Sequence, residues 1–190
     1  MSPRAGLDLN TIVGAAALLA DEEGLEAVTL AALAQRLGVR SPSLYNHVNG
    51  LPALKSHMME YALKELLAVL RDAAGVKSAS SIESIAKSYM IFARTRPGLY
   101  PLTLGAPTLA EGEHARLAKE LVELMLESLA ACGLGLTDEA GIHAVRGLRS
   151  LLHGFAAIES HSGFGMPIDV DDSVRYVLKA YLNGLKRPDL

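Results

Sequence analysis

Apolar residues recur at steps of three and four along almost the whole chain, which is the spacing of one face of an α-helix. Alanine and leucine dominate, and aromatic residues make up only 5% of the sequence, so the residue types that favour strands are scarce. No segment of strand length alternates apolar and polar residues. We therefore expect an all-α protein of about nine helices.

Composition limits the class of protein. With 190 residues, 50% hydrophobic and 21% charged, the chain can bury a core and is too apolar to be disordered. One cysteine, Cys132, excludes a disulfide-framed secreted domain, and the early apolar run 12–20 is too short to span a bilayer and lacks a basic region before it. We expect a cytoplasmic protein without signal peptide or membrane segment. Its net charge of −3 gives no general basic field for nucleic acid.

The first fifty residues carry the start and stop signals of three short helices. A Ser, Thr, Asp or Asn precedes each apolar segment, where its side chain can accept hydrogen bonds from first-turn amides, and glycine ends the first two. A tight turn at Gly38 joins the second and third segments into a helix-turn-helix over 29–48. The first predicted helix covers about 9–23, with Asp8 or Asn10 as its N-cap and Gly24 at its end. The second covers 30–37 and is capped by Thr29. The third carries residues 43–47, with Ser41 as its N-cap and Pro42 in its first turn.

Longer helices follow. The pattern predicts them over about 52–74, 82–95, 108–131, 138–160 and 170–185, with a linker at 75–80 and a break at Pro97–Gly98 and Pro101. We place the domain boundary near the fourth helix, with a three-helix head over 1–60 and a helical domain over 61–190.

The helix-turn-helix has an apolar and a polar face. Leu33, Ala34 and Leu44 would pack inward with their apolar neighbours and fix the angle between the two helices, so that the second can enter a DNA major groove, which is about 12 Å wide. The residues expected to face the duplex are Arg40, Ser41, Ser43, Tyr45, Asn46 and His47.

These segments resemble the TetR family of bacterial one-component transcriptional regulators. The resemblance covers about 8–70 and rests on ALAQRLGVRSPSLYNHV over 32–48 and LADEEGL over 19–25. The C-terminal half resembles a second class, the C-terminal domains called WHG. This resemblance rests on RSLLHGF over 149–155, in which His153–Gly154 keep two of the three signature positions. Gly-Phe-Gly at 163–165 and an acidic helix start at 169–173 follow it.

The resemblance implies a homodimeric repressor that places two heads on one double-stranded DNA operator. Its C-terminal domain would bind a small-molecule effector and dimerise through the last two helices. The DNA contacts carried over by position are Thr29, Ser41, Tyr45 and His47 at phosphates, Ser43, Asn46 and Arg40 at base edges, and Arg4 and Lys55 as further basic residues.

One departure from the family pattern bears on affinity. Val48 stands where many members carry Phe, and Leu51 stands where many carry Lys, so a familiar phosphate contact is missing. The first 60 residues hold four basic against six acidic residues, a net charge of −2. We predict few ionic phosphate contacts and a weak dependence of DNA binding on salt.

Two sets of C-terminal residues each have two interpretations. Apolar, aromatic and histidine side chains could form the core or line an effector cavity, and the apolar stripe of the last two helices could be a core face or a dimer seam. The cavity candidates are Tyr89, Phe92, Tyr100, Leu104, Met125, His143, Leu152 and Phe155. The dimer candidates are Leu148, Leu151, Val174, Val177, Leu178 and Tyr181.

Other functions have less support. No His pair at i, i+4 and no cluster of His with Cys predicts a metal site, and no nucleophile with a matching base predicts an enzyme. We expect no metal and no cofactor. The main alternative is a helical ligand-binding or adaptor protein whose head no longer binds DNA, an interpretation that the low basic content favours.

Overall fold

The computed structural model describes residues 7–75, 81–105, 112–136 and 138–186. Within these ranges the chain forms eight α-helices and two short 3₁₀ helices, Leu25–Ala27 and Tyr100–Thr103, without a strand. The all-α prediction is confirmed, with eight helices described where about nine were expected. The helices are α1 (Leu9–Glu23), α2 (Leu30–Leu37), α3 (Ser41–Tyr45), α4 (Gly50–Ala74), α5 (Ser81–Thr95), α6 (Glu113–Ala131), α7 (Asp138–Ser160) and α8 (Val170–Leu185).

Most helix ends lie where the sequence places them, because the cap residues determine them locally. Asp8 accepts a hydrogen bond from the Thr11 amide at 2.7 Å, and Thr29 accepts one from the Ala32 amide at 3.1 Å. The start predicted for α6 near residue 108, and most of the predicted linker 75–80, lie outside the described residues. None of the described helices combines the length and apolarity needed to cross a membrane.

The third helix differs from its prediction. Ser41 is its first residue and not its N-cap; the cap is Arg40, whose extended backbone (φ −85°, ψ 142°) offers its carbonyl oxygen to the Ser43 amide at 2.9 Å. The helix ends at Tyr45, so Asn46 and His47 follow it instead of belonging to it. Arg40 makes no side-chain hydrogen bond at this cap, so no capping side chain marks the start of the helix in the sequence.

Internal contacts divide the chain into two compact units. The first, here called the head unit, comprises Met1–Glu65 and Thr95–Ala115, and the second, the C-terminal unit, comprises Leu66–Arg94 and Arg116–Leu190. Besides residues 1–65, the head unit includes the segment 95–115, whose Leu102 packs against the head core. The chain passes between the units within α4, after Arg94 and within α6.

The two residues that depart from the family pattern lie at the core of the head unit. Leu33, Ala34 and Leu44 are buried, as predicted, against apolar residues of α1. Val48 is buried in the same core and Leu51 packs against it. Both residues therefore contribute to the packing that holds the end of α3.

In the C-terminal unit, α7 and α8 pack against each other. The Tyr181 hydroxyl donates a hydrogen bond to the Ala144 carbonyl oxygen at 2.6 Å, and the ring passes so close to Gly147 that a Cβ there would lie 2.4 Å from the hydroxyl oxygen. Burial raises the pKa of Tyr181, since the ionised phenol would lose hydration. The small residue at position 147 is what permits this approach.

Candidate nucleic-acid interface

The turn between α2 and α3 is held by backbone geometry. Gly38 is left-handed (φ 64°, ψ 30°), a conformation that suits glycine, and the Val39 amide donates to the Ala34 carbonyl oxygen at 3.0 Å. Beyond the turn, the fully buried Leu44 anchors α3 to the core. The short helix is thereby fixed at both of its ends.

Most of the predicted DNA contacts are accessible. Tyr45 is 57% exposed, and Asn46 and His47 follow it as exposed side chains, so three consecutive residues project from the end of α3. Arg40 and Thr29 are also exposed, whereas Ser41, Ser43 and Lys55 are half-buried; Arg4 lies outside the described residues. The Thr29 oxygen accepts the capping bond, which leaves its hydroxyl hydrogen to donate to a phosphate.

One basic residue of the head is already engaged. Arg36 of α2 makes a two-pronged ion pair with Glu22 of α1, at 2.7 and 2.8 Å, and this hydrogen bonding lowers the pKa of Glu22. The pair ties α2 to α1. Arg36 is therefore a poor candidate for a phosphate contact.

A junction at the end of α1 was not predicted from the sequence. The Asp21 carboxylate accepts hydrogen bonds from Arg96 Nε at 2.6 Å, from the Gly98 amide at 2.9 Å and from the Leu99 amide at 3.2 Å. A Cβ on Gly98 would lie only 2.1 Å from the Ala20 carbonyl carbon, so this position requires glycine. The only sequence signal was Pro97–Gly98, which indicates a break in a helix and not the partner of the segment.

The residues predicted for an effector cavity do not all share one unit. Tyr100 and Leu104 belong to the head unit, whereas the cavity was expected in the C-terminal domain. His143 is exposed and lies 3.6 Å from Glu139 on the same helix. The other candidates belong to the C-terminal unit: Tyr89, Phe92 and Leu152 are buried, and Met125 and Phe155 are half-buried.

The predicted dimer residues differ in the surface that they offer to a partner. Leu148, Val174 and Leu178 are buried within the single chain. Tyr181 is half-buried and bonds to α7. Leu151 is half-buried, and Val177 is 36% exposed. Helical periodicity indicated an apolar stripe, but it did not indicate which of its residues are covered within the chain.

Comparisons with known proteins agree with this architecture. The family described as "Bacterial regulatory proteins, tetR family" matches residues 12–47, and the family described as "Tetracyclin repressor-like, C-terminal domain" matches residues 82–181. The chain is 36% identical over 186 residues to YobS of Bacillus subtilis, an uncharacterised HTH-type transcriptional regulator, with 97% of this chain and 96% of that protein covered.

Solved structures show the same fold at lower identity. A protein of unknown function from Rhodococcus sp. RHA1 has a TM-score of 0.82 at 18% identity, covering 98% of this chain and 100% of that one. ActR, a TetR family protein of Streptomyces coelicolor solved in complex with (S)-DNPA, has a TM-score of 0.69 at 21% identity, covering 95% and 98%. Both family matches and the long alignment to YobS lead to one assignment: the chain belongs to the TetR family and is a helix-turn-helix transcriptional regulator, not an enzyme.

Proposed function

We propose that the protein is a homodimeric repressor that a small-molecule effector releases from its DNA operator. One observation carries the DNA-binding part: α3 is anchored by the buried Leu44 and presents Tyr45, Asn46 and His47 to solvent. The complex of ActR with (S)-DNPA supports a small-molecule effector, because that protein shares the fold. A repressor of this type acts in the cytoplasm, where the DNA is.

The side chains suggest distinct roles at the operator. Asn46 would pair with adenine and Arg40 with guanine in the major groove, with Ser43 as a further base contact. Thr29 would donate to a phosphate at the start of α2, where the amides of the first turn favour an anion. The remaining contacts that we propose, mainly to phosphates, are Arg4, Ser41, Tyr45, His47 and Lys55.

The proposed domain limits are 1–60 for the DNA-binding head and 61–190 for the effector domain. We assign the effector domain to the WHG class on the pair His153–Gly154 within α7. A Cβ on Gly154 would meet no atom within 4 Å, so packing within the chain does not explain the glycine. A dimer partner or an effector would explain it better.

We place the dimer contact on the outer side of α7, α8 and their connection. Several large apolar side chains are exposed there, which is unusual for an isolated soluble chain. Ile158 is 46% exposed and Tyr176 77%, and Phe164 stacks on Phe155 with ring centroids 5.7 Å apart. The exposed apolar set is Ile158, Phe164, Met166, Ile168, Tyr176 and Val177.

The dimer face has a direct test. Val177→Asp should convert the dimer to a monomer in size-exclusion chromatography with light scattering, because a buried unpaired carboxylate is costly. Lys179→Gln, on the same helix, is the control and should remain dimeric. If Val177→Asp stays dimeric at micromolar concentration, this face is not the interface.

DNA binding is tested by capturing genomic fragments with the purified protein and measuring affinity for the selected DNA by gel shift. Changing both Tyr45 and Asn46 to alanine should weaken binding at least about tenfold, since a good base contact contributes about 1–3 kcal/mol. Gln35→Ala, an exposed change on α2, serves as the control. Capture of no specific fragment, or equal binding by the double variant, would favour the second candidate function, a ligand-binding or adaptor protein with an unused head.

A further inference from the structure

One arginine ties the end of α5 to α7 and α8. Arg94, in the last turn of α5, donates from Nε to Glu159 of α7 at 2.8 Å and from a terminal nitrogen to Asp171 of α8 at 2.5 Å. A planar guanidinium holds its partners in direction as well as in distance. All three residues belong to the C-terminal unit. A displacement of α7 or α8 that keeps these bonds therefore moves the end of α5 with it.

The chain passes into the head unit directly after Arg94, and a second arginine ties it there to α1 and α4. Arg96 donates from Nε to Asp21 of α1 at 2.6 Å and from a terminal nitrogen to Glu65 of α4 at 3.1 Å. Only Thr95 lies between the two arginines, so the backbone that joins them spans at most about 7 Å. This short link leaves little slack between the two anchored side chains.

The segment after Arg96 is held tightly against the end of α1. The Asp21 carboxylate also accepts the amides of Gly98 at 2.9 Å and Leu99 at 3.2 Å, and only 12% of its side chain is exposed. Leu99 is fully buried, and a Cβ on Gly98 would collide with the backbone of Ala20. A shift of this segment must therefore carry the end of α1 with it or break the bonds to Asp21.

The next residue of α1 is bonded to the helix-turn-helix. Glu22 follows Asp21 directly and holds Arg36, in the last turn of α2, through two hydrogen bonds of 2.7 and 2.8 Å. Helix α2 leads through the turn at Gly38 into α3. The end of α1 is thus bonded both to the segment that follows α5 and to α2.

We propose that these contacts form a regulatory connection, in which a displacement of α7 or α8 passes through Arg94 and Arg96, enters α1 at Asp21 and reaches the helix-turn-helix. The inference rests on the proposed function, since it requires a regulator that binds DNA. Each bond lies within one unit, and the covalent chain between the two arginines joins the units in this region. An effector that shifts α7 or α8 would then change DNA binding without contacting the head unit.

A double-mutant cycle on DNA affinity tests the connection without any effector. Arg94→Gln removes the anchor on α7 and α8, and Asp21→Asn removes the charge that holds Arg96. Arg94→Gln should weaken binding to the DNA selected by fragment capture about fivefold, the low end of couplings between sites. In the Asp21→Asn background it should weaken binding less than about twofold, the scatter of independent sites. Arg175→Gln is the matched control, because it removes an equal charge from an exposed pair with Asp172 on α8, and it should change affinity less than about twofold in both backgrounds.

The cycle separates the connection from damage to the fold or to the dimer. A destabilised head, or loss of the dimer in Arg94→Gln, would weaken DNA binding by the same factor with or without the Asp21 carboxylate, so the two changes would be additive. Additive effects would therefore overturn the inference. Thermal unfolding checks that each variant folds. If Asp21→Asn does not fold, Arg96→Gln breaks the same bond from its other side and gives a cycle with the same expectation.

Hydrogen exchange gives a second measurement, which needs no DNA. The amides of Gly98 and Leu99 donate to Asp21, so Arg94→Gln should speed their exchange at least about twofold, the low end for residues along a coupled network, and Arg175→Gln should not. Unchanged exchange in Arg94→Gln would show that the connection does not exist. If the wild type binds no DNA, the proposed function fails and the regulatory role with it. If the wild type binds DNA and the cycle is additive, only the regulatory connection fails.

Discussion

The dependence of operator binding on salt tests how the head contacts DNA. Each phosphate that a basic side chain neutralises releases counterions, so the slope of log affinity against log salt concentration is about −0.9 per phosphate. In the head unit, Arg36 is bound to Glu22 and Lys64 to Glu113 at 2.9 Å, so neither is available. The remaining described cations near α3 are Arg40 and Lys55.

Adding the sequence-predicted contact of Arg4 gives about two or three neutralised phosphates per head, and about four to six per dimer. The expected slope is then roughly −4 to −5 per dimer, a loss of about 300- to 1000-fold in affinity between about 50 and 200 mM salt. The measurement is fluorescence anisotropy of the labelled DNA over that range.

Two variants make the test specific. Lys55→Gln should make the slope shallower by about 2 per dimer, one phosphate for each head. Arg36→Gln is the matched control and should leave the slope unchanged, because Glu22 already holds that guanidinium. A wild-type slope near −10, or an equal change in both variants, would refute the reasoning.

Further changes probe packing and pH dependence. Gly98→Ala should lower the free energy of unfolding in urea by more than about 3 kcal/mol, because its Cβ would lie 2.1 Å from backbone. Gly14→Ala, whose Cβ would meet no atom within 4 Å, should raise that free energy by about 0.5–1 kcal/mol. Comparable effects of the two variants would contradict this. Tyr181→Phe should cost about 1 kcal/mol through the lost bond to α7. Because burial raises the pKa of Tyr181, the phenol of the unfolded chain ionises first, and wild-type stability should fall above about pH 10. If Tyr181→Phe shows the same fall, ionisation of Tyr181 is not its cause. The hydrogen bond from Arg94 lowers the pKa of Asp171, so Asp171 contributes stability at pH values above 3.8, its pKa in the unfolded chain, and this stability is lost as the pH falls through its folded pKa. Arg94→Gln should therefore flatten the acid side of the plot of stability against pH.

The sequence predicted features that depend on a few neighbouring residues. The bounds of α1, α2 and α8 agree with the prediction because the capping side chains of Asp8, Thr29 and Asp169 lie within three residues of the amides they bind. The prediction for α3 was one residue out at the start, where no capping side chain marks the boundary, and two residues out at the end, since the helix stops at Tyr45.

The sequence did not predict contacts between distant segments. Asp21 and Arg96 are 75 residues apart, and nothing in either local pattern indicates the other. Arg94 and Asp171 are 77 residues apart on separate helices, and the packing of α5 near α8 brings them together. The stripe of α8 illustrates the same limit, since periodicity predicts buried positions at Val174 and Leu178 without showing which helices of the chain pack against α8.

The junction at Asp21 limits how members of such a family can exchange parts. Because the head unit includes residues 95–115, a chimera that joins 1–65 of this chain to a foreign C-terminal half keeps the junction only if that half supplies counterparts of Arg96 and Gly98. A half without them would leave Asp21 without its half-buried counter-charge and α1 without the glycine that fits against it. Transfer of the head from this chain is then expected to succeed only with residues 95–115 included or with matching substitutions at these two sites.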